Sequence, residues 1–255
     1  MRLSVLACAG VLALAGLTAC GSDDDPDKVT SQDVRSALLT VDNLSDEFEV
    51  DPDDGNDDDD DDGPDWGCLF DLDSLNDGED EDDEEDDENQ VQFRASEEPG
   101  MPGVIHFVEA APDQAKAEEL MDEVAGALEG CQEVDTTDDD GTRWKFDVDF
   151  DRSAWARGAD EQLNIVAAGS TTVDELQLPI SITMSAVRIE NAVSILMFID
   201  IAEDVAGAPR TLTNAASERL QAVVDGEDVA DPEPLLEDYP IGAGFADLLG
   251  TDNPA

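Results

Sequence analysis

Two blocks of aspartate and glutamate, residues 51–62 and 77–88, set the first limit on how this chain can fold. Between residues 51 and 88 there are 23 acids and no base. Like charges at that density cannot be gathered into a core, so both blocks are expected to be disordered, solvated loops. Only the short island between them, WGCLFDLDSL, is fit to be buried. Over the whole chain 67 acidic residues face 12 basic ones, a formal charge of -55. A field of that sign repels nucleic acid and anionic lipid, and no basic stripe offsets it. Cations and basic surfaces remain as partners.

Carboxylates in such number raise the question of calcium, which takes several oxygen ligands. Asp58, Asp60, Asp62 and Gly63 fit the opening of an EF-hand loop, but the twelfth position is Leu69 where a bidentate glutamate is required. DTTDDDG fails at its first position, Thr136. No metal site and no cofactor are expected. Weak, unspecific binding of divalent cations remains one reading of the blocks, and solubility or adaptation to salt is the other.

The N-terminus, MRLSVLACAGVLALAGLTAC, has one positive charge at Arg2 and then an apolar run to about Leu17. A membrane span needs about 20 apolar residues, whereas the apolar region of an export signal needs about 7–15, so residues 1–19 read as a signal peptide. Its end, Leu17-Thr18-Ala19-Cys20, resembles the bacterial lipobox. The expected chemistry is transfer of a diacylglyceryl group to the Cys20 thiol and cleavage between Ala19 and Cys20. Two acyl chains, each gaining about 0.8 kcal/mol per buried methylene, hold a protein at a bilayer where one is marginal. Residues 20–30 then form an acidic tether, and the location is the extracytoplasmic side of the cell membrane. AVSILMFIDIA (192–202) has only strand length and is broken by Asp200.

Cys8 leaves with the signal and Cys20 takes the lipid, which leaves Cys68 and Cys131. An even pair facing an oxidising exterior usually closes a bridge, and no CxxC points to zinc or redox chemistry. The expected structural disulfide joins the island to the end of the helix before Cys131. In the loop-entropy treatment it contributes roughly 4 kcal/mol.

The folded part, residues 31–226, reads as one domain interrupted by the acidic insertions. SQDVRSALL suggests a short helix with Ser31 as N-cap. NQVQFRAS and GVIHFVEA alternate as strands, the second with Val104, His106 and Val108 on one face. A helix opened by Pro112 and ended by Gly130 carries Ala117, Leu120, Met121, Val124 and Leu128 on one stripe. TRWKFDVDF, EQLNIVAAG, LPISITMSAVRI and NAVSILMFIDIA are four more strand candidates, and Glu190-Asn191 marks a hairpin in which Asn191 can take the left-handed geometry. A last helix runs from Pro209 to about Val224 and stops at Gly226, with Leu212, Ala216, Leu220 and Val223 inward. The implied fold is α+β, an antiparallel sheet covered on one face by the two main helices. Residues 227–255, rich in Pro and Gly, read as a surface or mobile tail.

The order of these features (lipobox, tether, ALLTVDNLSDEF, Trp66 and Cys68, strand, helix ending in Cys131, a run of strands and a last amphipathic helix) resembles actinobacterial lipoproteins related to the extracytoplasmic sensor domain of PknH-type serine/threonine kinases. The resemblance spans residues 31–226 and lies in layout more than in motif. It implies a helix-covered antiparallel sheet with a groove for an unknown ligand. The acidic insertions and the single evident cysteine pair depart from it.

Catalysis has little support in the sequence. His106 is the only histidine and sits on an apolar strand, where packing is the commoner role. GxSxG, HExxH and the P-loop are absent, and GAGFAD lacks the third glycine and the preceding strand of a dinucleotide site. Acids are too numerous for any pair to be singled out for glycosidase chemistry. Trp144 and Trp155 suit a carbohydrate or aromatic ligand, but Trp144 between Arg143 and Lys145 suits sheet packing better. The sequence therefore favours a non-enzymatic lipoprotein that binds a small molecule or an envelope protein. A cation-buffering or structural surface protein is the alternative, and an envelope hydrolase a more distant one. Mass spectrometry of the protein from membranes tests this frame: the expected mature chain begins at Cys20 with added acyl mass, and Cys68 and Cys131 resist alkylation until reduced. An unacylated chain, or one still carrying residues 1–19, would remove the anchor.

Overall fold

The structure, a computed structural model, describes residues 28–51, 89–96, 100–137, 141–173, 176–202, 205 and 207–242. The lipobox with Cys20, the acidic blocks beyond Asp51, the EF-hand-like run, and the island with Cys68 lie outside the described residues. Among the described residues eight strands form one antiparallel sheet: β1 (Phe48–Val50), β2 (Gln90–Ala95), β3 (Gly103–Ala110), β4 (Glu133–Thr137), β5 (Arg143–Asp151), β6 (Glu161–Val173), β7 (Leu176–Ile189) and β8 (Ala192–Asp200). Their spatial order is β1-β2-β3-β8-β7-β6-β5-β4. Among the described residues three α-helices accompany the sheet, α1 (Ser31–Val34), α2 (Gln114–Glu129) and α3 (Ala208–Val224).

Strand alternation decides which helix meets which face. On one face Ile182, Met184 and Ala186 of β7 align with Ile165 and Ala167 of β6, Phe146 and Val148 of β5, and Val193 of β8. These residues pack with Ala117, Met121, Val124 and Leu128 of α2. The opposite face carries Val104 of β3 with Leu196 and Phe198 of β8, packed with Leu212 and Ala216 of α3. Val108, Val187 and Ile189 on that same face gather with Leu220.

The two main helices therefore lie on opposite faces, and the expectation that both cover one face is corrected. The cause is visible in β7, where Ile182, Met184 and Ala186 alternate with Ser181, Thr183 and Ser185. A row of small hydroxyl residues reads as solvent-facing, yet Ser181, Thr183 and Ser185 are only 3%, 2% and 1% exposed. The α3 helix packs over β7 and β8 and brings small residues of its own, Thr213, Ala216 and Ser217, to the buried side. Each fully buried leucine on α3 contributes about 1.5–3 kcal/mol.

Sequence periodicity missed both edge strands. β1 has three residues, too few to show a pattern. β4 shows too little apolar alternation to stand out, since Glu133 and Asp135 interrupt it. Those acids pair with Lys145 at 3.1 Å and Arg143 at 2.8 Å on the outer side of β5. Charge along an exposed edge discourages pairing with another chain.

Local chemistry fixes the ends of the helices. Thr30, one residue before the expected Ser31, caps α1 through a reciprocal box with Asp33. Asp113 caps α2 by accepting from the Lys116 amide at 3.0 Å. At the far end of α3, Glu227 N–H donates to the Ala222 carbonyl at 2.8 Å and Gly226 N–H to that of Val223 at 3.0 Å. With Gly226 at φ +68 this is a Schellman ending. The segment beyond, read as a tail, returns to the core. Leu236 is 3% exposed, its amide donates to the Leu44 carbonyl, and the Tyr239 hydroxyl donates to Asp200 at 2.6 Å.

The β7–β8 hairpin turns through Glu190 and Asn191, but the left-handed residue is Glu190, with φ +52. Asn191 serves another purpose: its buried amide donates to the carbonyls of Val29 at 3.1 Å and Ala111 at 2.8 Å. The turn is held by Glu190 N–H donating to Asp160 at 2.7 Å and Arg188 donating to the Glu190 carbonyl at 3.1 Å. A left-handed non-glycine residue costs roughly 1–2 kcal/mol. Glu190→Gly is accordingly expected to stabilise the domain by up to about 1 kcal/mol, raising Tm by about 2–4 °C in a thermal melt. An unchanged or lower Tm would show that the side chain stabilises the turn by as much as the backbone costs.

Candidate functional site

A groove of about 740 Å3 lies where the start of the described chain meets the hairpin tip and the end of α3. Val29, Val223 and Val224 give it an apolar lining, and Lys28, Asp33, Ser36, Glu190, Asp225 and Glu227 surround them. Three elements hold this arrangement. Asn191 fixes Val29 to the hairpin, the Thr30–Asp33 box orients Asp33, and the Schellman turn at Gly226 ends α3 so that Asp225 and Glu227 flank the opening. The Thr30 hydroxyl and amide, donating to Asp33 at 2.6 and 2.9 Å, hold its carboxyl below the usual aspartate value. Four carboxylates against one lysine, beside the negative end of a helix, make the groove electronegative.

The N-terminal wall depends on two buried groups. His106 on β3 is fully buried, with Nδ1 accepting the Leu39 amide at 3.0 Å and Nε2 at 2.9 Å from the Ser194 hydroxyl. Since Nδ1 accepts, the proton of the neutral ring sits on Nε2 and is donated to Ser194. Arg219 on α3 donates to the carbonyls of Ser36, Ala37 and Leu38, at 3.1, 3.1 and 2.8 Å. It closes the 3-10 turn Arg35–Ala37 that follows α1.

A serine beside a histidine invites a nucleophile reading, and the geometry rejects it. A general base must accept the hydroxyl proton at Nε2, whereas this Nε2 already carries one. Burial, assisted by the Arg219 charge, pushes the His106 pKa down to about 3. Ser194 is 2% exposed, so substrate has no route to it.

The other residues singled out from sequence are scattered. Trp144 lies on the α2 face, stacked on Phe146 at 6.2 Å, with Arg143 and Lys145 on the opposite face. Trp155 lies under the Arg210 guanidinium, 5.3 Å from the ring centroid, and its amide donates to Gln162. Cys131 is 2% exposed at the end of α2, and its sulfur is not free. Among the described residues no group of three His, Cys, Asp or Glu side chains could hold a metal ion, and no described helix is long and apolar enough to cross a membrane. A second groove of about 360 Å3 lies over β1–β3 beside Ile105 and Ile199, with Arg94 pairing there with Glu49 at 2.9 Å and Asp51 at 3.4 Å. None of the larger groove's lining residues stood out in the sequence as a site. The only local signals were the Glu190-Asn191 turn and the glycine stop at 226.

No protein-family model and no curated protein matches the chain. Among solved structures it is similar to the extracellular domain of PknH from Mycobacterium tuberculosis, at 14% identity and a TM-score of 0.35. The match covers 54% of this chain and 61% of that one, so the chain spans about three-fifths of that domain. At this level the likeness decides neither fold nor function.

His106 makes a pH prediction. In the unfolded chain an imidazole takes a proton near pH 6.5, while the native one stays neutral down to about 3. Between those values the unfolded state binds more protons. The stability supplied by neutral, buried His106 is therefore whole above about pH 6.5 and is lost as pH falls toward 3, by an amount on the order of 4 kcal/mol. Urea denaturation of the wild type and His106→Gln from pH 7.5 to 4 should show a stability gap that narrows as pH falls. A constant gap would mean that His106 does not titrate between the two states.

Proposed function

We propose that this chain is a lipid-anchored, extracytoplasmic, non-enzymatic binding module whose ligand or partner occupies the groove between the N-terminal segment and α3. The observation that carries the reading is the groove itself, a concavity of about 740 Å3 in which Val29, Val223 and Val224 lie among six polar or charged side chains. The lipobox at 17–20 supports the anchor, with Cys20 as the lipidated residue. The expected Cys68–Cys131 bridge would tie the island to the end of α2. The sensor-like role is the part drawn from the family resemblance.

An aromatic amine such as phenethylamine, titrated into 15N-labelled protein, tests the groove. Saturable shifts confined to the amides of Val29, Glu190, Val223, Val224 and Gly226 are expected, and Val224→Lys, which puts a positive charge among the valines, should abolish them. Shifts spread over the outer side of β4 and β5 instead, or none up to millimolar amine, would sink the reading. The 23 acids at 51–88 favour a second reading, cation buffering. It requires calcium uptake by the parent protein that disappears when residues 52–88 are deleted while the fold survives.

A further inference from the structure

We propose that the seam between α3 and β7, beside β6, is a site for ordered internal water, held by the Trp155 indole N–H and the hydroxyls of Thr213 and Ser217. The proposal is independent of the groove and of the anchor.

Helix geometry brings the three groups together. At about 100° per residue, Leu212, Ala216 and Leu220 form one stripe of α3, and Arg210, Thr213, Ser217 and Gln221 form the adjoining one. Leu212 and Ala216 pack with Phe198, and Leu220 packs with Val187 and Ile189, so α3 runs from the Asp200 end of β8 toward the hairpin tip. Strand register then sets Thr213 and Ser217 at the level of Thr183 and Ser185 on β7, with Asn164 of β6 opposite Ser185. The second stripe meets the loop between β5 and β6. There the Arg210 guanidinium covers the Trp155 ring and Gln221 lies against Gly158. Trp155 is fixed to β6 through its amide, which donates to Gln162 Oε1 at 2.9 Å, so its indole lies along the flank that carries Thr213 and Ser217.

Hydrogen bonding supplies the second argument. Trp155 Nε1, Thr213 Oγ1 and Ser217 Oγ are buried, and none has a hydrogen-bond partner among the described residues. Thr213 is 1% exposed and Ser217 0%. A serine or threonine within a helix commonly donates to the carbonyl four residues back, as exposed Thr211 does to Gly207 at 3.1 Å. Thr213 and Ser217 do not. Asn164 beneath them is already engaged: its Oδ1 accepts from Gln162 at 2.7 Å and Ser185 at 2.8 Å, and its Nδ2 donates to the Ser153 carbonyl at 2.7 Å. A buried polar group left unpaired is costly. The indole needs an acceptor and the hydroxyls take either role, so water can accept from the first and donate to the others. Walls as closed as these leave no entry for a larger molecule.

A high-resolution crystal structure tests the site. Water within hydrogen-bond distance of Trp155 Nε1 and of at least one of the two hydroxyls is expected. A direct bond from Trp155 Nε1 to either hydroxyl, or no water in reach of the three atoms, overturns the proposal. Urea denaturation gives the solution test. Thr213→Val/Ser217→Ala should lower the midpoint by about 0.5 M, because the water loses its partners while the indole stays buried. A midpoint unchanged or raised is the behaviour of hydroxyls buried dry and overturns the proposal as well. Should the double variant fail to fold, the crystal structure of the parent protein decides alone.

Discussion

A hairpin buried on both faces, β7 with β8, is the constraint on which the rest of this structure depends. Helix α2 covers one side of it and α3 the other, and the remaining strands extend the sheet outward in both directions. Bulk water is excluded from both faces at the centre, so the two strands can carry no exposed charge there. The small hydroxyl residues on the α3 side let that helix approach closely. The strongly acidic character of the chain is consequently displaced to strand edges, helix surfaces and loops.

The same hairpin builds the candidate site. Its tip sets Glu190 in a left-handed turn and aims Asn191 at the carbonyls of Val29 and Ala111, so the start of the domain is tied to the sheet by one side chain. His106 and Arg219 complete the attachment by meeting the backbone of residues 36–39 with an acceptor and a set of donors. These contacts position the groove wall without being exposed to a ligand. That is why a histidine which would attract attention in any catalytic search proves to be a structural acceptor.

Charge is distributed unevenly among the described residues. Arg188, 6% exposed, stands within 4 Å of Glu118, Asp160 and Glu161, where a buried guanidinium needs compensation. Arg143 and Lys145 offset the acids of the β4 edge. Around the groove the opposite holds, with carboxylates left to solvent at the end of a helix. Exposed like charges are tolerated there because water screens them, and they become a recognition feature only when a cation displaces that water.

Period-two and period-3.6 patterns in the sequence by themselves determined six of the eight strands, the two long helices and the Gly226 stop, because each depends on which residues of a local segment can be buried. They also indicated that His106 packs and that Trp144 belongs to the sheet. The edge strands escaped because β1 is too short for a period and β4 carries the charges that protect an edge. The side of the sheet on which each helix lies was decided only in tertiary structure: a row of serine and threonine looks the same whether it faces water or a helix with small residues. The groove was decided there too, since its walls come from residues 28–36, 190 and 223–227. Local propensity records what each of these segments does alone, and only long-range packing, through Asn191, His106 and Arg219, brings them together.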